Sequence, residues 1–425
     1  MRRFFANTGW LLGSRGINAA LSLVYLALAA RALGVEAFGL FTLVVAFAQA
    51  LTGIASFQTW LFVVRWGNRA VANGTAAKGA QKSRDVIGFA VALDLVSMVA
   101  GSLLAAVLVV AASGWFGLPG SLTIPALLLC VVSLLGIRST PTGILRLHDR
   151  YARASGAEAI LPITRAVGAA LAALFMPTIT GFLLAWGLAE LTTALAYWIA
   201  ASRYARPELS AISLTVLPRR EAGVWPFVLS TNFSASTGVA GRQVLLLLVG
   251  AFGGAAMAGI YRVAAQLGQA VLKLGQAVLQ ALFPDLVRVG AKDHVLAGNV
   301  VRVALAIAVT SVLLAVLAGK PLISAIAGAA YSAAYLPMVI LAAASAIELV
   351  GASWDALLVA RQRAGAVLAL RAIPMTISLA MVPWAIAIAG ASGVAATSFF
   401  ASAVAVAGLG LLVRKIGSSA STIPY

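Results

Sequence analysis

The chain has 425 residues, 62% of them hydrophobic and only 10% charged, with a mean hydropathy of +1.01. Soluble domains are nearer half apolar and a quarter charged, so a large soluble core is excluded and most of the chain must dissolve in lipid. The net charge is +18, but no long polar domain exists to carry a nucleic-acid surface, so the Lys and Arg read as topology signals on short loops and no nucleic-acid partner is expected.

Apolar stretches of about 20 residues, enough to cross a bilayer, recur along the whole chain. About twelve are expected: 8–31, 39–64, 86–112, 121–144, 157–177, 180–201, 225–249, 257–283, 300–319, 333–359, 366–388 and 393–413. The fold class is therefore an all-α polytopic membrane protein. The first stretch follows Arg2 and Arg3, and Ala27-Leu28-Ala29 imitates a cleavage site. It is too long for the core of a signal peptide and carries Arg15, so it reads as an uncleaved span.

The connections alternate in character. One set is basic: Arg2 and Arg3, the run from Arg65 to Arg84, Arg146 to Arg153, Arg203 to Arg220, Arg288 and Lys292, Arg361 and Arg363, and Arg414 and Lys415. The other set (32–38, 113–120, 178–179, 250–256, 320–332, 389–392) holds only Glu36 and Lys320. Positive-inside bias then puts both termini in the cytoplasm. The longest basic loop, 202–224, separates an N-terminal six-helix lobe (1–201) from a C-terminal one (225–413), with a cytoplasmic tail at 414–425. An offset of 220 aligns Gly34 with Gly254, Gly39 with Gly259, Phe41 with Tyr261 and Gln49 with Gln269. Six spans return the chain to its starting side, so such halves would be parallel repeats.

Charged residues inside spans are costly in lipid and normally face a bundle interior or water. In span 1, Thr8, Arg15, Asn18, Ser22 and Tyr25 share a face. Asp94 lies in span 3, Arg138 and Arg165 in spans 4 and 5. Span 6 aligns Trp186, Glu190, Thr193 and Tyr197, and span 7 aligns Ser230, Ser234, Thr237 and Gly241 with Arg242 at the edge. Span 8 contains one heptad written twice, LGQAVLK LGQAVLQ at 267–280. Around it Arg262, Gln266, Gln269, Lys273, Gln276 and Gln280 fall on one helical face, while the remaining faces are apolar. Span 10 puts Ser345, Glu348 and Asp355 together.

The span 8 stripe covers about 27 Å of helix, close to the ~30 Å hydrocarbon thickness. Helix–helix glue needs one or two such contacts, not a whole face. A helix lying on the membrane surface would break the loop alternation, and a coiled coil would carry an apolar seam. Arg15, Asn18, Arg242, Arg262, Gln266, Gln269, Lys273 and Gln276 are therefore the candidate lining of an aqueous, positively charged cavity. Arg forks and Gln amides suit an anionic, hydroxyl-rich ligand. The acids Asp94, Glu190, Glu348 and Asp355 admit two roles: uptake of H⁺ or Na⁺, or structural pairing. The pairing candidates are Lys273 or Arg242 for Glu348 and Asp355, and Arg138 or Arg165 for Asp94 and Glu190. The lone Cys130 and two distant histidines, His148 and His294, offer no disulfide or metal set, and no cofactor is expected. No phosphate-binding glycine loop or HExxH helix is present.

Several short stretches resemble the bacterial polysaccharide transporters, the Wzx-like oligosaccharide-lipid flippases of the MOP superfamily. They are Asn7-Thr8-Gly9-Trp10, Ala30-Arg31-Ala32-Leu33-Gly34, Glu36-Ala37-Phe38-Gly39, Pro141-Thr142-Gly143-Ile144-Leu145-Arg146, Gly253 to Tyr261, Leu282-Phe283-Pro284 and Ala327-Gly328-Ala329-Ala330-Tyr331. The resemblance implies two MOP/MATE-like six-helix lobes, alternating access, and a polyprenyl-diphosphate-linked oligosaccharide moved from the cytoplasmic to the outer leaflet of the bacterial inner membrane. It also implies that Arg15 is a cavity arginine, and makes polysaccharide polymerase machinery a candidate partner. Two other readings stay open: a MATE-type multidrug exporter, and a membrane polymerase or ligase acting on lipid-linked sugars.

Overall fold

The computed structural model describes residues 2–72, 76–112, 118–289, 293–360 and 363–420. Within these, side chains are described except at 2–17, 70–72, 76–80, 112, 234–235, 237–240, 271–289, 293–304, 353, 356–357, 359–360, 364 and 416–420. Among the described residues every regular element is helical, because a chain in lipid must satisfy its backbone polar groups internally. The helices are α1 (Arg2–Ala55), α2 (Thr59–Ala72), α3 (Ala76–Ala112), α4 (Thr123–Leu135), α5 (Ser139–Leu147), α6 (Tyr151–Phe175) and α7 (Ile179–Ala201). They continue as α8 (Val216–Arg220), α9 (Val224–Val289), α10 (Asp293–Ile326), α11 (Tyr335–Ala360), α12 (Ala364–Ala380) and α13 (Val382–Ala420). Nine stretches among the described residues are long and apolar enough to cross a membrane.

Each expected span falls on helix, but the helix ends differ. Spans 1 and 2 join in α1 through Gly34 (φ 75°, ψ 178°), and spans 7 and 8 join in α9 through Gly254 (φ 80°, ψ 172°). That backbone region is essentially closed to residues with a Cβ. The two glycines stand at the 220-residue offset of the repeat. So do Gly39 and Gly259, which pack on each other: a Cβ on Gly259 would lie 3.3 Å from Gly39 Cα, and one on Gly39 only 1.8 Å from Ala255 O. Spans 2 and 4 are interrupted by three-residue breaks, whereas span 11 is divided only at Met381, whose backbone stays in the helical region. Residues 56–58 separate α1 from α2, and residues 136–138 separate α4 from α5.

The residues group into two compact units, Leu43–Val244 and Met1–Thr42 with Leu245–Tyr425. Both boundaries fall inside long helices, α1 and α9. The lobe limits at 201 and 225 count spans along the chain, whereas these units group residues by packing, and the two divisions differ.

In the unit Leu43–Val244, Phe62, Trp66, Phe89, Leu93, Ile144 and Leu145 anchor a buried core. Three basic connections meet beside it. Lys82 pairs with Glu221, Arg84 with Glu208 at 3.4 Å, and Arg220 with Asp85 at 2.6 Å. Arg150 and Arg153 each lie 5.1 Å from the Tyr204 ring, and Arg65 lies 4.6 Å from Phe227. Loops that the charge alternation assigns to one side thus touch one another.

In the other unit, connections of the charge-poor set meet. Arg31 donates through Nε to Ile326 O at 3.1 Å and through Nη2 to Ala325 O at 2.5 Å. These are carbonyls left over at the C-terminus of α10, which has no basic residue in its own last turn. Tyr331 donates to Ala30 O at 3.3 Å and meets Phe38 edge-on at 6.0 Å. Two of the family-like stretches, 30–34 and 327–331, therefore hold each other. Arg31→Met is expected to cost about 1 kcal/mol, read as a lower melting temperature of the solubilised protein.

Candidate functional site

The doubled heptad begins where α9 turns a packed face to its neighbours. Ala264 and Leu267 are fully buried, and a Cβ on Gly268 would lie 3.1 Å from Met338 O of α11. Arg262, Gln266 and Gln269 are half-buried or better on the face around them, with Gln269 and Arg262 less enclosed than Leu267. The stripe therefore points away from the most tightly packed side, as a lining would. Lys273 and Gln276 lie outside the residues whose side chains are described, as does Arg15.

Asn18, in the same unit as the stripe, is half-buried. Its carbonyl accepts from Ser22 Oγ at 2.7 Å, and its Oδ1 is shielded with no hydrogen-bond partner among the described residues. Arg242 belongs to the unit Leu43–Val244, is exposed, and has no carboxylate within ion-pair distance among the described residues. Next to it Gln243 Nε2 donates to Gln49 Oε1 at 2.8 Å.

The acids divide. Glu190 on α7 is held from both sides: Arg138 Nη1 at 2.8 Å on Oε2 and Arg165 Nη2 at 2.5 Å on Oε1. Arg165 lies 3.5 Å over the Trp186 ring, one α7 turn from Glu190. Glu158 joins the network, 3.7 Å from Arg138 Nε and accepting from Tyr197 Oη at 3.0 Å. The shared face of span 6 is thus a pairing face, and its two arginines and two glutamates cancel. In such a partly buried network, Glu190 and Arg138 each keep two oppositely charged partners, which offsets part of the cost of desolvating them.

Of the partners that the sequence suggests for Glu348 and Asp355, Lys273 lies outside the residues whose side chains are described and Arg242 belongs to the other unit. Both acids are bound by Arg371 of α12. Its Nη1 lies 2.5 Å from Glu348 Oε2, and its Nε and Nη2 grip Asp355 Oδ2 at 2.9 and 2.5 Å. Sequence reasoning misses Arg371, although a single Arg inside the run AVLALRAIPM carries the same signal as the other charges within spans.

Asp94 also departs from expectation: neither Arg138 nor Arg165 reaches it. It is 5% exposed and accepts from Thr59 Oγ1 at 3.0 Å and from the Thr140 backbone N–H at 3.3 Å. Thr59 and Thr140 open α2 and α5, the second halves of the two interrupted spans. The pairing of a carboxylate with two helix N-termini is favourable because unsatisfied N–H groups concentrate positive potential there.

A family model described as polysaccharide biosynthesis protein matches residues 4–289. The chain belongs to that family. It is also 30% identical over 323 residues to the inner membrane protein YghQ of Escherichia coli K12, covering 72% of this chain and 90% of that protein. Among solved structures, the lipid II flippase MurJ in an inward closed conformation matches with TM-score 0.71 at 14% identity, over 95% of this chain and 87% of MurJ. An inward-facing multidrug resistance MATE family transporter of the MOP superfamily matches with TM-score 0.69 at 15% identity, over 96% of each chain. A MOP superfamily transporter from Pyrococcus furiosus, whose binding pocket of reverse polarity suggests a different function, matches with TM-score 0.60 at 16% identity, over 98% of this chain and 96% of that one. This family member is a multi-pass membrane protein with the MOP fold. Its structural neighbours are transporters and a flippase, not enzymes.

Proposed function

We propose that the protein is a flippase that moves a polyprenyl-diphosphate-linked oligosaccharide from the cytoplasmic to the outer leaflet of the bacterial inner membrane, for surface polysaccharide synthesis. Both termini are cytoplasmic in this reading, and six-helix lobes 1–201 and 225–413 alternate access. The observation that carries it is the α9 stripe: Arg262, Gln266 and Gln269 turned away from the most tightly packed face of an otherwise apolar helix. Each unpaired sugar hydroxyl costs about 1–3 kcal/mol to bury. Amide side chains that both donate and accept offset that cost. Cationic groups, among them Arg15 and Lys273, offset the diphosphate charge, while the polyprenyl tail stays in lipid.

The MATE fold likeness keeps a second reading, export of organic cations. A cation site would use free carboxylates; Glu190, Glu348 and Asp355 are each already neutralised by arginine, and Asp94, which is not, is 5% exposed and enclosed by Thr59 and Thr140. That balance favours the anionic ligand.

Arg15→Ala and Lys273→Ala are each expected to abolish surface polysaccharide in a strain relying on this protein, with membrane protein levels unchanged. Normal polymer in both variants would sink the proposal. Reproducible resistance to organic cations on expression would replace it with the exporter reading.

A further inference from the structure

Asp94, Glu190 and Glu348 lie in stretches long and apolar enough to cross a membrane and Asp355 just beyond one, and the last three are ion-paired. Asp94 is the exception. It sits near the middle of the apolar stretch Gln81–Ala111 of α3. Thr59 and Thr140 beside it are 1% and 0% exposed. Thr140 Oγ1 donates to Thr59 Oγ1 at 3.2 Å, and Thr59 Oγ1 donates to Asp94 Oδ1. The Trp60 backbone N–H donates to Ser139 Oγ at 3.1 Å, so α5 also caps the first turn of α2.

Among the described residues, every charged group on the elements around α3 is turned elsewhere or lies at the far basic end. On α2, Arg65 and Arg69 cover Trp66. Beside and within α5, Arg138 holds Glu190 and Arg146 covers Trp60. On α8 and its flanks, Arg220 holds Asp85, Glu221 holds Lys82 and Glu208 holds Arg84, while Arg219 is exposed. α4 carries no charge. Among the described residues, Asp94 is hydrogen-bonded by the Thr59 hydroxyl and the Thr140 N–H alone.

We propose that Asp94 is a proton-binding group of the transport cycle, seated at the junction of the two interrupted spans. A proton from water forms an O–H bond on the carboxylate, which becomes neutral. Hydroxyls both donate and accept, so the chain Thr140–Thr59–Asp94 can reverse: Asp94 then donates to Thr59 and Thr59 to Thr140, which leaves the Thr140 hydroxyl hydrogen to turn to a new acceptor. An arginine in the place of the threonines would hold the carboxylate charged instead. A metal cation needs several oxygen ligands at once, whereas Asp94 Oδ2 faces the Thr140 N–H, a donor, so the site suits H⁺ better than Na⁺. Neutralisation also removes the charge that ties the two half-helices to α3, so protonation acts on the helix junction itself. Discontinuous spans at such a site are a recurring device of ion-coupled carriers.

The inference takes its purpose from the transport reading, but its test needs no substrate. The measurement is infrared difference spectroscopy of the full-length protein in lipid, acidified from about pH 8 to about pH 5. The wild type is expected to gain the C=O band of one protonated carboxyl group. Asp94→Asn, close to isosteric, loses that band, while Asp355→Asn keeps it. Thr59→Val keeps the band but shifts its midpoint pH, because the reversible hydroxyl is gone. Four results would each overturn the proposal: no band in the wild type, a band that survives Asp94→Asn, a midpoint unmoved by Thr59→Val, or a band suppressed by replacing K⁺ with Na⁺. Should Asp94→Asn fail to fold, Thr59→Val alone decides. A failed flipping assay would leave this result standing.

Discussion

Replacing Arg371 with Met is expected to destabilise the folded protein by about 3 kcal/mol, one of the two largest effects foreseen for a single side chain. The guanidinium serves two carboxylates at once, with Nη1 on Glu348 and with Nε and Nη2 on Asp355. Removing it leaves two like charges on α11 without the cation that holds them. Breaking a buried pair costs about 3–5 kcal/mol, and the low end applies here because the side chains are a quarter to a third exposed. Thermal unfolding of the detergent-solubilised protein reads the loss. The triple variant Arg371→Met, Glu348→Gln, Asp355→Asn removes all three charges and is expected to recover most of it. A single variant as stable as wild type would show that the cluster is solvated and energetically idle.

Gly39→Ala is expected to have the other large effect, loss of most folded protein. The added carbon would sit 1.8 Å from Ala255 O and 2.5 Å from Ala255 C, and both are backbone atoms that no rotamer change can clear. The segments around Gly39 and Gly259 must therefore separate, opening the contact between these matched positions of the repeat. Gly34→Ala is the comparison. Nothing lies within 4 Å of the place its added Cβ would take, so only backbone strain opposes it, about 1–3 kcal/mol. Size-exclusion profiles and melting temperatures of the two variants should differ sharply, with Gly34→Ala folded and Gly39→Ala largely aggregated. Equal behaviour would mean that α1 and α9 can move apart without penalty.

Much of this architecture is legible in the chain. Hydropathy places each expected span on helix, since a single segment in lipid must satisfy its own backbone, but not the short α8 in the basic loop 202–224. Charge alternation separates connections that do touch one another, as Lys82 with Glu221 and Arg31 with the end of α10 demonstrate. The 220-residue offset, resting on a few glycines, reappears as matching backbone angles at Gly34 and Gly254. The breaks at 56–58 and 136–138 are hidden, because Ser56-Phe57-Gln58 is an ordinary triplet inside an apolar run. What meets the chain there is a set of partners from distant segments: Asp94 and Ser139. Partner choice is hidden for a similar reason. A helical face shows that Glu348 and Asp355 stand together, but not that the neighbouring helix supplies Arg371, 16 and 23 residues further on from Asp355 and Glu348. The polar face of α9 is readable because it lies within one helix. Its separation from the buried Leu267 and Gly268 follows from the helical period alone.

The central claim is that this chain carries lipid-linked sugar across the membrane, and reconstitution tests it most directly. Purified full-length protein in vesicles would be given a fluorescent polyprenyl-diphosphate oligosaccharide, with the label accessible to an impermeant quencher only in the outer leaflet. The account expects the label to redistribute between leaflets in vesicles holding the wild-type protein, and to stay where it was loaded in those holding Lys273→Ala. Equal rates in wild-type, variant and protein-free vesicles would contradict it.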